Sequence, residues 1–344
     1  MPVTPQRSRV VVFLLVCAAG VAVLAGYIQL VHRPRLAESG QVAEQGVTAS
    51  PAVFAAYSSR PHVVFVNTSL DQYNDRLAVQ ALDAEEGSRF VGDLRCERVH
   101  VGAGVGLCLN ADRGVLTRYY GYFFDEAFQP RSEFPLQGTP SRARVSPDGR
   151  LGAITVFVAG DSYTNNSFST RTTILDTASA QVLGELEQFT AIRDGQPFRA
   201  ADFNYWGVTF AHAPGIFYAT LATGGHMYLV RGSVPRREVT VVHDGVECPS
   251  LSPDDSRVVF KQRVNENGRL GWRLHVLDLQ TLAAVPVAET RSVDDQAEWL
   301  DRDHVLYALP REAGGTALWS VPADGTGAPV LFLDNAYSPA IARR

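Results

Sequence analysis

Beyond about residue 60 the hydrophobic positions fall in short runs of β-branched and aromatic residues, separated by turn-forming residues. The clearest unit is Val145-Ser146-Pro147-Asp148-Gly149-Arg150-Leu151-Gly152-Ala153-Ile154, which recurs in altered form as Leu251-Ser252-Pro253-Asp254-Asp255-Ser256-Arg257-Val258-Val259-Phe260. An apolar run, a tight turn and a second apolar run predict a β-hairpin. Each turn residue has a backbone reason: Pro presets φ, Asp accepts a main-chain N–H two residues on, and Gly tolerates positive φ.

Further strand starts fall at Cys96–Val101, Trp206–Phe210, Gln296–Leu300 and Ala336–Ile341. Their spacing is roughly forty to fifty residues, the period of a four-stranded propeller blade. The longer step between Val145 and Val208 is read as an insertion. His62–Asn67, Arg76–Leu82 and Arg89–Leu94 supply only three strands before the next blade opens, and Ala336–Ile341 has nothing after it. The expectation is therefore an all-β, six-bladed propeller closed by the C-terminal strand, which removes open sheet edges. Seven blades result if the insertion from Thr190 to Tyr205 hides a degenerate one.

The Ser-Pro-Asp-Gly-Arg turn, Leu274-His275-Val276-Leu277-Asp278-Leu279, and Ala317–Leu331 with its Asp324-Gly325 turn resemble the WD40-like repeats of TolB-type β-propellers. The resemblance runs from about residue 60 to the end. It implies an extracytoplasmic propeller that serves as a non-enzymatic protein-interaction module, associated with the envelope or with translocation; TolB itself works with a peptidoglycan-associated lipoprotein and outer-membrane transport partners. The chain departs from that pattern in having a hydrophobic N-terminal segment in place of a separate α/β domain.

That segment, Val10 to Val31, is apolar almost throughout and follows Arg7 and Arg9. At ~1.5 Å per residue it matches the ~30 Å hydrocarbon layer as a helix. The expected organisation is a cytoplasmic N-terminus (1–9), a transmembrane helix or uncleaved signal anchor (10–31), a flexible linker (32–60) and the propeller (61–344). Arginines flank both ends of the run, so charge gives little orientation; a secreted propeller places the bulk on the extracytoplasmic side of the cell membrane. The competing reading is a signal peptide cleaved after Val23-Leu24-Ala25.

Composition changes this picture little. The 344 residues are 46% apolar and 19% charged with a formal net charge of −5, an ordinary globular balance that argues against nucleic acid as a partner. Lys261 is the only lysine. Cys96 and Cys108 flank Gly102-Ala103-Gly104, and a hairpin there sets them nearly opposite one another. They form either a disulfide, in an oxidising compartment, or two buried small apolar side chains. Cys248 is then left as a buried free thiol.

Catalytic and cofactor motifs are absent: the sequence has no G-x-S-x-G, H-E-x-x-H, P-loop or calcium-loop spacing, so no catalytic, cofactor or metal residue is assigned. Asp148, Asp254, Asp255, Asp278 and Asp324 read as turn caps. The candidate binding surface lies instead in two irregular stretches beside the insertion, represented by Tyr163, Asn165, Asn166 and Phe168 in the first and Arg193, Phe198, Arg199, Tyr205 and Trp206 in the second. Both mix aromatics with hydrogen-bonding groups, as binding surfaces do. The expected partners are proteins of the cell envelope, with no cofactor. The alternative is a propeller enzyme or carbohydrate-binding protein, a hydrolase or lyase, working through the central funnel. Convergence of His, Asp, Glu and Arg on that funnel would favour it. The regulatory propeller of a peptidase is a third reading.

Overall fold

The computed structural model describes residues 51–84, 88–114, 116–158, 169–266 and 268–343, together with Val47–Thr48 and the isolated helical positions Leu14, Leu15, Ala18 and Gly20. The chain divides into Met1–Glu44 and Gln45–Arg344, and every described strand belongs to the second unit. Among the described residues no helix is long and apolar enough to cross a membrane. Apart from the four helical positions just named, the expected anchor at 10–31 lies outside the described residues.

The second unit is a β-propeller of six sheets. Blade 1 is built on Ala336–Ala342 as its inner strand, followed outward by His62–Asn67, Arg76–Ala81, Arg89–Arg95 and the two-residue strand Val47–Thr48. The inner strands of blades 2 to 6 are Arg98–Gly102, Thr139–Val145, Asn204–Phe210, Glu247–Leu251 and Glu298–Trp299. Consecutive inner strands pack against one another around the ring, and the last returns to the first. All six run toward the face that carries the Ser-Pro-Asp turns, here called the turn face.

Both copies of the turn close in the same way. Ser146 N–H donates to Leu151 O (2.8 Å), Leu151 N–H to Ser146 Oγ (2.9 Å), and Arg150 N–H to Asp148 Oδ1 (3.1 Å). Ser252, Asp254 and Arg257 repeat these bonds, with Asp255 at φ 58° in the place of Gly149 at φ 72°. An aspartate is one of the few side chains that accept this conformation at modest cost.

Closure follows the expected route. Ala336–Ala342 pairs antiparallel with His62–Asn67, from Asn67 opposite Ala336 to His62 opposite Ala342. Arg89 locks the seam from a buried position: its guanidinium donates to Asp334 O (2.8 Å), Asn335 O (3.2 Å) and Asn67 Oδ1 (3.1 Å), and lies 5.3 Å from the Phe65 ring centroid. Apolar clusters fill the spaces between blades, with Trp299, Tyr205, Tyr307, Phe65, Phe123 and Phe217 among the largest fully buried side chains. Such burial, at about 25 cal/mol per Å² of apolar surface, is the main force holding the ring.

Three expectations are refined. First, there are six blades, as expected, and the insertion does not found a seventh because it adds to an existing sheet. Leu186–Gln188 form a 3-10 turn, and the hairpin Thr190–Arg193/Gln196–Phe198 joins blade 4 through a parallel pairing of Thr190–Ile192 with Glu238–Thr240. A hairpin this short has no apolar face large enough to found a blade, so it extends one. Second, the expected flexible linker 32–60 contains ordered elements: Val47–Thr48 pairs with blade 1, and Pro51–Ser58 is a helix packed on it. Phe54 of that helix sits 4.9 Å from Phe90 and 4.8 Å from Phe128 between ring centroids. Third, Cys96 and Cys108 are joined as a disulfide, but they are not paired residues of a ladder: Val99 faces Cys108, and Cys96 lies just before the strand, its Cα 5.5 Å from that of Cys108.

Candidate functional site

Two regions qualify: the axial funnel, and the surface around the blade 4 insertion.

The funnel is built from alternate residues of the inner strands. A strand projects i and i+2 to the same side, so Arg98 and His100, Arg142 and Arg144, Cys248 and Ser250, and Gln296 and Glu298 reach toward the axis. They form two layers. In the layer away from the turn face, Asp295 holds Arg98 (2.9 Å) and Arg142 (3.3 Å), and Arg98 lies 4.5 Å from the Tyr337 ring centroid. Gln296 Nε2 donates to Pro249 O (2.6 Å) and Val208 O (3.2 Å), tying blades 4 and 5 to blade 6. Lys261 pairs with Asp294 and lies 4.7 Å from the Trp272 ring centroid. In the second layer, Arg144 donates to Ala297 O (2.9 Å) and Ser250 Oγ (3.4 Å) and faces Glu298 at 3.3 Å. His100 Nδ1 accepts the Val145 N–H (3.0 Å), which leaves Nε2 as the protonated nitrogen, 3.6 Å from Glu298.

The electrostatics follow from this packing. Burial pushes the Glu298 carboxyl up, but Arg144 and His100 outweigh it and hold the group down at about 2. Asp295 is likewise held below the ordinary carboxylate range, because Arg98 and Arg142 overcome its burial. Burial, and then Arg144, push His100 below its usual value, so the ring is neutral near pH 7. Both carboxylates are therefore ionised and paired, and both nitrogens of His100 are directed at partners. Such an arrangement offers neither a protonated acid nor a free base near neutral pH. Among the described residues no group of three His, Cys, Asp or Glu side chains is placed to hold a metal ion.

Above this floor, on the turn face, opens a cavity of about 440 Å³. Its walls mix apolar side chains, among them Val101, Phe124, Val145, Phe210, Leu251 and Ile341, with polar and charged ones such as Glu126 and Arg343, and its floor is His100, Arg144, Ser250 and Glu298. At the rim Asp255 accepts the His212 N–H (2.8 Å) and pairs with the ring Nδ1 (3.0 Å). A concave bowl that combines apolar walls with fixed polar groups at its base is a common form of ligand site.

The second region lies on the opposite face. The stretch with Tyr163, Asn165, Asn166 and Phe168 is outside the described residues. At its C-terminal flank Thr170, which is described, meets the insertion's flank: Thr170 N–H and Oγ1 both donate to Asn204 Oδ1 (2.9 and 2.5 Å). Arg193 and Arg199 are exposed and Phe198 is half-buried. Arg193 stacks on Phe198 with its guanidinium carbon 4.7 Å from the ring centroid, and Phe198 packs edge-on against Phe203 at 5.1 Å. Tyr228 continues the patch, 5.5 Å from His226 in a stacked pair. Tyr205 and Trp206, by contrast, are core: 0% and 5% exposed in the inner strand of blade 4. The expected surface thus divides at Asn204, where the loop becomes a strand and its aromatics turn inward.

The axial residues went unrecognised in the sequence. The available signal was the alternation of Arg98 with His100, Arg142 with Arg144, and Gln296 with Glu298 inside otherwise apolar blade-opening strands.

The class these features define is a six-bladed propeller with a plugged axis and an open bowl on one face. No family model and no curated protein matches the sequence. Among solved structures the chain is similar to TolB from Acinetobacter baumannii, with 18% identity and a TM-score of 0.59 over 83% of this chain and 67% of that one. It is also similar to a chain of the nidogen/laminin complex, with 10% identity and a TM-score of 0.55 over 82% of this chain and 98% of that one. A TolB-like protein from Agrobacterium tumefaciens matches at 10% identity and a TM-score of 0.50, over 80% of this chain and 88% of that one. The shared property is the fold: this chain has the propeller architecture of TolB.

Proposed function

We propose that this propeller is a non-enzymatic protein-interaction module of the cell envelope, tethered by residues 10–31 with the propeller on the extracytoplasmic side. One observation carries the reading: the bowl on the turn face is open and lined by both apolar and polar side chains, while every ionisable group at its base is engaged with another. That favours holding a ligand over transforming one. The apolar run from Val10 to Val31 and the disulfide between Cys96 and Cys108 support an oxidising, membrane-apposed location. The structural neighbours add that this architecture occurs in TolB and in an assembly of nidogen with laminin.

The test is site-specific photocrosslinking in intact cells, with the probe placed at Val101 or Leu251 in the bowl and at Arg193 on the insertion. A discrete crosslinked protein from the bowl positions supports the reading; an empty bowl sinks it. Protease added outside the cell should reach the propeller, and protection would overturn the topology.

The convergence of His100, Arg144 and Glu298 beneath the bowl favours one second reading, a carbohydrate-binding or hydrolytic propeller. Glu298→Gln distinguishes them. Abolished turnover of a glycan or peptide, with unchanged crosslinking, would establish the enzyme.

A further inference from the structure

The insertion is attached to the body through a buried carboxyl that neither reading above uses. Glu187 sits in the 3-10 turn Leu186–Gln188, where the chain leaves blade 3 for the added hairpin. That turn packs against the strands Ser169–Asp176 and Asn204–Phe210. Glu187 Oε1 accepts the Thr172 N–H (3.1 Å). Its other oxygen, Oε2, is buried with no hydrogen-bond partner, and so is the hydroxyl of Tyr205, which feels the Glu187 charge. Two unpaired oxygens that feel one another in the core are unusual, since buried polar atoms are nearly always paired.

We propose that Glu187 is a pH-operated latch: as a neutral acid it seats the turn against blade 3 and the Tyr205 strand, and on ionisation it releases the turn and loosens the hairpin that carries Arg193, Phe198 and Arg199. The physical reason is the asymmetry of the site. A neutral acid leaves one uncharged oxygen in the core, whereas a carboxylate leaves a charge there held only by backbone N–H groups, its own and that of Thr172, which do not offset its burial. The surrounding charges do not rescue it. Arg171, on the Ser169–Asp176 strand, pulls toward the ionised form, but Glu185 opposes it and burial dominates, raising the carboxyl to about 7. Arg199 acts on Tyr205. Arg237, the cation beside the turn's far end, is committed to Leu183 O (2.9 Å), Gln188 Oε1 (3.3 Å) and the Phe189 ring. With a folded value near 7 against an ordinary 4.5, the stabilisation is complete below pH 4.5 and is lost as pH rises through 7.

The latch is independent of what binds the hairpin, so its test needs no partner. Hydrogen exchange on the full-length chain at pH 5 and pH 8, corrected for the intrinsic rates, reads the opening of residues 186–198 directly. The expected result is a loss of protection of about tenfold or more in that segment at pH 8, with blades 2, 5 and 6 unchanged. Glu187→Gln keeps the shape and removes the titration, and should hold the segment equally protected at both values. Glu187→Met is a second neutral variant if Gln perturbs the turn. Equal protection of the wild type at the two pH values, or a neutral variant that opens as the wild type does, overturns the proposal.

Discussion

The axis and the blade 4 insertion both gather arginine beside aromatic or acidic groups, yet they use it in opposite ways. At the axis Arg98, Arg142 and Arg144 are fixed by Asp295 and Glu298, with inner strands converging from every side. In the insertion Arg193 rests on Phe198 with one face in water, on a hairpin that, among the described residues, pairs with one neighbouring strand. A buried arginine with a counter-charge specifies geometry and leaves little to offer a ligand. An exposed one on an aromatic plane contributes little to stability but is the residue type that dominates binding hot spots. The scaffold is thus rigid where charge is densest and available where charge is sparse.

The comparison breaks most completely if the ring is opened. Deleting residues 336–344 removes the inner strand of blade 1 and the partner of His62–Asn67, so no cooperative thermal transition should remain; a protein that still melts in one sharp step by calorimetry would mean the ring does not depend on its seam. Next in size, Glu298→Gln leaves Arg144 buried without its counter-charge and should lower the urea-derived stability by roughly 3–5 kcal/mol. The same carboxylate has an acid signature. Its value is held near 2 against an ordinary 4.5, so its contribution is fully present above pH 4.5 and is lost as pH falls through 2. The wild type should lose stability across that window more steeply than Glu298→Gln, and parallel curves would show that Glu298 is not the group responsible.

Replacing Cys96 and Cys108 together by alanine should cost about 2–3 kcal/mol, close to the loop-entropy value for so short a ring, read as a lower denaturation midpoint under non-reducing conditions. The smallest effect sharpens the contrast. Arg193→Ala should change stability by less than about 1 kcal/mol, because its stack on Phe198 is exposed. A larger loss in chemical denaturation would make Arg193 a structural residue like those of the axis.

Much of the architecture was legible because propeller blades announce themselves by turn chemistry. Ser146-Pro147-Asp148-Gly149 and its copy can close in only a few ways, and Ala336–Ile341 was recognisable by the strand that blade 1 lacked. The axis was less legible because its signal is two residues long in each blade: Arg142 and Arg144 acquire meaning only when a blade far along the chain brings Asp295 and Glu298 to meet them. The division of the second surface stretch had a similar cause. Tyr205 and Trp206 look like loop aromatics until Gly207, at φ 66°, is seen to bulge the inner strand while its neighbours pack inward. The helix Pro51–Ser58 did carry a signal, Ser50-Pro51 at a helix start, but its apolar residues follow no clear face, so periodicity alone passed over it.

The seam has a consequence for biogenesis. Because the innermost strand of the first blade is encoded at residues 336–342, some 270 residues after its partner, synthesis must reach those residues before the circle can be completed. Until then the partner strand's edge stays open to other chains. A cell making this protein therefore has reason to supply a chaperone for that interval, and a ribosome-stalled chain ending before Ala336 should be the form on which it is found.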